Sequence, residues 1–306
     1  MTQAICSGLS WLGGISKFGA PGNSARQTGS MTMSTSETVW FITGASSGFG
    51  RAFASYAVEQ GYRVVATARD VEHLGTLVER APSRVLAVKL DVTNPDEIAD
   101  AIQAAKARFG RIDVLINNAG FGLVGAVEET PMAEWRSAME TMFFGAIAVT
   151  QAALPTLRAQ GAGAVVNISS MGGQMSVAGF GAYSAAKFAL EGASEALAQE
   201  LAPFGIKVLI VEPGAFRTGF AGSALRHMPV LDAYRDVVAG TRDFARSMNE
   251  TQEGDPLKAA AAIDEALRAE KTPLRLQLGA DSIAAVRAHA EALLADLAVW
   301  GRVARM

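Results

Sequence analysis

The sequence has little of what would send a chain to a membrane, a secretory compartment or a nucleic acid. Its 306 residues include one cysteine, Cys6. A disulfide within the chain is thereby excluded, and a cysteine-based zinc site is not supported. His73, His227 and His289 are scattered rather than set at ligand spacing, so no metal is expected. Charged residues make up only 19%, the formal net charge is −3, and no basic block stands out. That balance argues against nucleic acid or an anionic membrane as partner. No apolar run reaches the ~20 residues needed to span a bilayer. Residues 1–36 contain no acidic residue and only Lys17 and Arg26 as bases. Two bases are few for a transit peptide, and the interrupted apolar patch at 5–12 lacks a signal peptide's basic start. This stretch reads as a disordered leader or a mis-assigned start, with translation beginning at Met31 or Met33. A cytoplasmic location is the expectation.

What is present is a large apolar fraction with a regular rhythm. Half of the residues are apolar, enough for a sizeable core. Length alone would allow about two domains of ~150 residues each, but the order of segments argues for one. Strand-like runs fall at 39–43, 63–68, 85–90, 114–117, 164–168, 207–211 and 274–278. Helical patterns fall at about 49–59, 71–79, 95–109, 131–158 and 182–202, with a last one from about 281. Pro95 directly after Asn94 suits a helix start. The strands are nearly continuous apolar runs, as expected when both sheet faces are covered. The alternation predicts an α/β fold: a doubly wound, mostly parallel, seven-stranded Rossmann-like sheet in a single domain over 37–306. Ligands of such sheets bind beyond the carboxyl ends of the strands.

The first such end is Thr43-Gly44-Ala45-Ser46-Ser47-Gly48-Phe49-Gly50. Glycines at 44, 48 and 50 permit a tight turn and close approach of a pyrophosphate. The amides and dipole of the following helix favour that anion, and Ser46 and Ser47 add hydroxyls. A bare turn is the alternative for this motif alone. The second strand ends Ala66-Thr67-Ala68-Arg69-Asp70. A carboxylate at its tip would accept from the adenine ribose hydroxyls and select NAD. Ala68 takes that place, and Arg69 follows. The planar fork of Arg69 suits a 2′-phosphate, so the expected cofactor is NADP(H). An Arg69–Asp70 ion pair is the competing role.

Further strand ends carry Leu90-Asp91-Val92, Asn117-Asn118-Ala119-Gly120, Asn167-Ile168-Ser169-Ser170 and Pro213-Gly214-Ala215-Phe216-Arg217-Thr218. Tyr183-Ser184-Ala185-Ala186-Lys187 opens the long following helix. This ordered set, with the glycine turn, resembles the short-chain dehydrogenase/reductase family over about 38–218. The resemblance implies hydride transfer between NADP(H) and a ketone, aldehyde or secondary alcohol, with Ser170, Tyr183 and Lys187 catalytic. Tyr183 and Lys187, four apart, share a helix face. A nearby ammonium favours the phenolate and would lower the tyrosine's pKa, fitting it for proton exchange with substrate. Lys187 would also hold the nicotinamide ribose. Ser170, thirteen residues before Tyr183, is expected to face the reacting oxygen, and Ser169 to face elsewhere.

The resemblance further implies a cofactor site. Asp91 and Val92 would contact adenine, and Asn117, Ala119 and Gly120 would lie along the cofactor. Pro213, Gly214, Phe216 and Thr218 would orient the nicotinamide, while Asn118 would brace the sheet. A homodimer or homotetramer is implied by family analogy. One departure stands out: the family's usual asparagine in the fourth helix, thought to hold a water in a proton relay, is replaced by Met142. A backbone carbonyl there still offers a water site, and activity is expected to survive. Residues 219–250, with Phe220, Leu225 and Met228, read as the substrate-covering region, or else as an ordinary surface helix pair. Met175, Val177 and Ala178 in the 174–180 stretch would line the same pocket, so a fairly apolar substrate is expected. Two other readings stay open: an NAD-dependent alcohol dehydrogenase on the same fold, and a nucleotide-binding sensor or scaffold that does not turn over.

Overall fold

The computed structural model describes residues 37–222, 224–247 and 252–305. The reading of residues 1–36 lies outside them. Seven strands form one parallel sheet: β1 (Val39–Ile42), β2 (Arg63–Ala68), β3 (Val85–Lys89), β4 (Val114–Asn117), β6 (Gly163–Ile168), β7 (Ile206–Pro213) and β9 (Arg275–Leu278). Their spatial order is β3-β2-β1-β4-β6-β7-β9. The chain builds outward from β1 to β3, then returns to lay β4 on the other side of β1. That reversal opens a crevice between the carboxyl ends of β1 and β4, the place where a doubly wound sheet takes a ligand.

Continuous apolar strands are explained by what covers each face. Trp40, Ile42, Val64, Ala66, Val166 and Leu209 pack against α1 (Gly48–Glu59) and α8 (Pro256–Arg268). Val39, Phe41, Val65, Leu115 and Val165 pack on the opposite face against α3 (Pro95–Phe109) and α5 (Gly145–Gln160). Side chains alternate between the faces with the two-residue period of a strand, and both faces are dry. Asn94 caps α3 by accepting from the amides of Asp96 and Glu97, with Pro95 at its first position.

The structure departs from the sequence reading in four places. The segment expected at 71–79 is a 3-10 turn, Val71–Leu74, followed by α2 (Gly75–Arg80). The long helix expected at 131–158 is α4 (Met132–Met139), a π-helical turn Glu140–Phe144, and then α5. A second, two-stranded parallel sheet pairs β5 (Gly122–Val124) with β8 (Leu225–His227). Three-residue strands carry too little pattern to register as a period-two signal. Finally, α8 fills a stretch given no element, although Asp255-Pro256 has the same helix-start form as Asn94-Pro95. The remaining helices are α6 (Gly181–Leu201), α7 (Arg235–Ser247) and α9 (Ala280–Trp300).

Candidate active site

The crevice continues into a cavity of about 1240 Å³. Its floor is the glycine turn. Gly44 and Gly48 have φ of 67° and 53°, which favour glycine over residues with a Cβ. A Cβ on Gly44 would fall 3.1 Å from Ala119 Cα, so the turn and the β4 end are pressed together. Ser46, Ser47, Gly48 and Phe49 line the cavity, and no side chain caps the N-terminus of α1. First-turn amides left uncapped beside a glycine-walled hollow suit a pyrophosphate. Gly50 acts differently from its neighbours. It does not line the cavity; a Cβ there would run into the Gly44 carbonyl and Asn118 Nδ2, so it lets α1 close onto the turn.

The two strand ends that form the crevice are clamped by Thr43. Its hydroxyl accepts from the Asn118 and Ala119 amides at 2.8 and 3.0 Å. Asn118 Nδ2 donates to the Thr43 carbonyl at 2.9 Å, which is the bracing role expected of it. Ala119 and Gly120 line the cavity, but Asn117 does not. Asn117 is buried, and its amide donates to Thr150 at 2.9 Å and to Asn167 at 2.8 Å. Asn167 donates to Ser194 on α6 at 2.8 Å. The expected place of Asn117 along the cofactor is therefore corrected. Strand pleating turns it inward, and it ties β4 to α5 and β6 directly and to α6 through Asn167.

At the far end of the crevice Arg69, Asp91 and Val92 line the wall. Asp91 is engaged by the amide and hydroxyl of Thr93 at 2.9 and 2.7 Å. Asp70 accepts from the Glu72 amide, capping the 3-10 turn. Arg69 makes no hydrogen bond or ion pair among the described residues, so the Asp70 pair weighed against it does not form.

The three residues expected to be catalytic, Ser170, Tyr183 and Lys187, meet at the β6 end. Ser170 Oγ accepts from the Gly172 amide at 3.0 Å, which leaves its own proton to donate. Tyr183 sits in the first turn of α6, with Phe220 5.5 Å away ring to ring. One turn on, Lys187 Nζ donates to the Ile168 carbonyl at 2.8 Å and lies 5.7 Å from the Tyr183 ring centre. Burial pushes the Tyr183 phenol up to about 12, against a hydrogen bond with Ser170 that pulls it down. Burial pushes Lys187 down to about 8, with the Glu191 charge acting the other way. The expected depression of the phenol by Lys187 is not what the geometry gives: desolvation outweighs it. Ser169 is largely buried but also borders the cavity, its hydroxyl lying beside Gly173.

Pro213, Gly214, Phe216 and Thr218 line the cavity at the β7 end. Asp281 at the start of α9 holds this turn by accepting from the Ala215 amide at 2.7 Å. Phe216 packs on Phe49 with ring centres 5.1 Å apart, joining the turn to α1. Met142 is buried within the π-helical turn and also lines the cavity, its Cγ 3.2 Å from where a Gly120 Cβ would stand.

The opposite wall is apolar. Phe220, Met175 and Val177, named among the expected lining residues, face the cavity, joined by Phe121, Phe180 and Phe244, whereas Leu225, Met228 and Ala178 do not line it. Arg226 lies over Phe121 at 3.8 Å and pairs with Glu134 at 2.8 Å. Sequence reasoning missed the pin of this wall. Glu129, fully buried, accepts from Ala126 N at 2.6 Å, Leu231 N at 2.9 Å and Arg242 Nη2 at 2.6 Å. Burial alone would push its carboxyl up, but the two amides and Arg242 outweigh this and hold it below the ordinary range. Nothing in the spacing of Glu129 and Arg242 signals that they meet.

The family model of short chain dehydrogenases matches residues 38–228, and the chain belongs to the short-chain dehydrogenase/reductase family. It is an oxidoreductase of that family. Oxidoreductase BOA17 of Botryotinia fuckeliana is 38% identical over 86% of this chain and 96% of its own length. A 3-ketodihydrosphingosine reductase of Bacteroides thetaiotaomicron is 41% identical over 78% of this chain and 86% of its own. A solved short-chain dehydrogenase from Streptomyces avermitilis is 52% identical, with a TM-score of 0.83 over 88% of this chain and 98% of that one. Two solved neighbours at 25% identity were captured with different nucleotides. A Burkholderia phymatum member holds NAD (TM-score 0.73; 83% and 94% covered). A Thermococcus sibiricus alcohol dehydrogenase holds 5-hydroxy-NADP (TM-score 0.65; 79% and 95% covered). Among the described residues no helix is long and apolar enough to cross a membrane, and no cluster of metal ligands occurs.

Proposed function

We propose that the protein is an NADP(H)-dependent reductase of ketones or aldehydes on fairly apolar molecules. The observation that carries this reading is the placement of Ser170, Tyr183 and Lys187 between the glycine-floored crevice and an aromatic wall. The uncapped α1 amides, the glycine cradle and Thr218 fit a nicotinamide dinucleotide, and the unengaged Arg69 guanidinium fits its 2′-phosphate. Bound there, the reduced nicotinamide supplies the hydride.

The chain's own residues handle the oxygen and the proton. Ser170, its acceptor side engaged by Gly172, donates to the carbonyl oxygen and polarises it. Tyr183, kept protonated at neutral pH by its burial, gives its proton to that oxygen as negative charge develops. Lys187 as ammonium stabilises the phenolate left behind. The aromatic wall excludes water and accepts apolar substrate surface. The name of the Bacteroides relative, a reductase of a ketone, supports the reductive direction.

A cytoplasmic homodimer or homotetramer belongs to this proposal on family likeness alone; light scattering tests the assembly. The decisive assay follows loss of nicotinamide absorbance with NADPH or NADH across a panel of apolar ketones. Turnover preferring NADPH is the expected result. Faster turnover with NADH would favour the NAD-dependent alternative, for which the Burkholderia neighbour gives a precedent. Tight cofactor binding without turnover of any ketone would favour a sensor.

A further inference from the structure

Beneath the reacting pair lies a cluster of buried charges that the proposed reaction does not use. Glu191 stands one turn beyond Lys187 on α6, and Glu212 interrupts the apolar run of β7; both are buried. Gln174 Nε2 donates to Glu191 Oε2 at 3.1 Å and to Glu212 Oε1 at 3.2 Å. Arg275 Nε on β9 lies 3.1 and 3.2 Å from the same two oxygens, and its Nη2 lies 2.7 Å from Glu195 Oε1. Gln277 Nε2 donates to Glu212 Oε2 at 2.7 Å.

Glu212 is thus engaged at both oxygens, but Glu191 is not. Among the described residues Glu191 Oε1 has no donor in full hydrogen-bond geometry; it faces Gly173 and the Ser169 hydroxyl, which favours its ionised form. A buried carboxylate is costly unless donors and a counter-charge compensate it. Two buried carboxylates share one guanidinium, which is also drawn to the exposed Glu195. Lys187, four residues before Glu191 on the same face of α6, is the next cation; among the described residues it hydrogen-bonds the Ile168 carbonyl and no carboxylate.

We propose that Glu191 is a positioning residue of the active site: its buried carboxylate, braced by Gln174 and Arg275, keeps Lys187 as the ammonium on which the Tyr183 phenolate depends. The inference rests on the proton-transfer reading of Tyr183 and Lys187 given above. Glu191 is faced by Lys187 and Glu195 on its own helix, by Glu212 from β7, by Arg275 from β9, and by Ser169 at the β6 end. Burial pushes Glu191 up to about 7 and Lys187 down to about 8. Glu191 and Glu212 stand side by side on Gln174 and Arg275 and titrate together, and negative charge on the pair favours the ammonium form of Lys187. No bond is made or broken in this role; the carboxylate acts through its field. It offers support to Lys187 that does not depend on an asparagine at position 142.

The test is a lysine-selective NMR titration of the whole protein, wild type against Glu191→Gln, which reads Lys187 without requiring turnover. The Lys187 midpoint should fall by about 0.5–1 unit in Glu191→Gln, and the alkaline limb of kcat/KM should move with it. Glu191→Asp, which keeps the charge, should restore most of the midpoint. Glu195→Gln, which removes only the exposed arm on Arg275, should leave it in place. If Glu191→Gln does not fold, Glu191→Met, apolar and of similar length, carries the same expectation. A Lys187 midpoint unchanged in a folded Glu191→Gln or Glu191→Met protein overturns the proposal. An inactive wild type whose midpoint still shifts would refute the functional reading and leave the electrostatic one standing.

Discussion

The two walls of the cavity are built on different principles. The cofactor wall is made of strand ends: Gly44 after β1, Arg69 after β2, Asp91 after β3, Ala119 after β4 and Pro213 at the end of β7. Pro213 is paired with Leu278 and the others follow directly on strands held in register with their neighbours, so the wall inherits the rigidity of the sheet. The substrate wall hangs on a three-residue strand pair, one helix and the Glu129–Arg242 ion pair. Under the proposed function the cofactor lies on the first kind of wall and the substrate on the second, which is able to change without disturbing the sheet.

The contrast predicts separable failures. The largest belongs to Tyr183, where the walls meet: Tyr183→Phe should cut kcat by about 10²–10⁴-fold, with NADPH affinity unchanged by calorimetry. A matching loss of cofactor affinity would mean that the ring serves binding rather than proton transfer.

Glu129→Gln should come next. Removing one partner of a buried pair costs about 3–5 kcal/mol. Because the damage is confined to the substrate wall, KM for an apolar ketone should rise at least about tenfold while NADPH affinity holds. Equal loss of both would erase the distinction between the walls. The same carboxylate sets a pH dependence. Its pKa is depressed in the fold, so its stabilisation is present above the unfolded glutamate value and lost as pH falls through the folded one. Hydrogen exchange at α7 should therefore quicken in acid before exchange in β1 does.

Arg69→Asp should weaken NADPH binding by about 10–100-fold and leave NADH binding equal or improved. Comparable weakening of both nucleotides would show that Arg69 is not reading the 2′-phosphate. Met142→Asn should have the smallest catalytic effect, within about threefold in kcat. It should lower the melting temperature, since the side chain is buried beside Leu123, Ala138 and Ala186. A large gain in kcat would show that the usual amide is missed after all.

The sequence was legible where the sheet dictates position. The strand–turn–helix order located the glycine turn and the other strand ends, because parallel strands end together at the crevice, whereas the roles expected of Ser170, Tyr183 and Thr218 came from the family resemblance. Asn117 escaped because adjacent residues at a strand end point to opposite sides, and only the register with Asn167 decides which faces in. Gly50 escaped because a glycine needed for packing looks the same as one needed for a ligand. Glu129 and Arg242, 113 residues apart, left no trace in the sequence. The tyrosine's acidity was misjudged because spacing gives proximity to an ammonium but not the depth of burial, and here burial wins.

Transfer of hydride to a carbonyl carbon can be read directly. The protein is incubated with NADPH carrying two deuterons at nicotinamide C4 and an apolar ketone, and the product alcohol is weighed by mass spectrometry. The account predicts one deuterium on the former carbonyl carbon, formed by the wild type and essentially absent with Tyr183→Phe. An alcohol without deuterium, or equal labelling by both proteins, would contradict it.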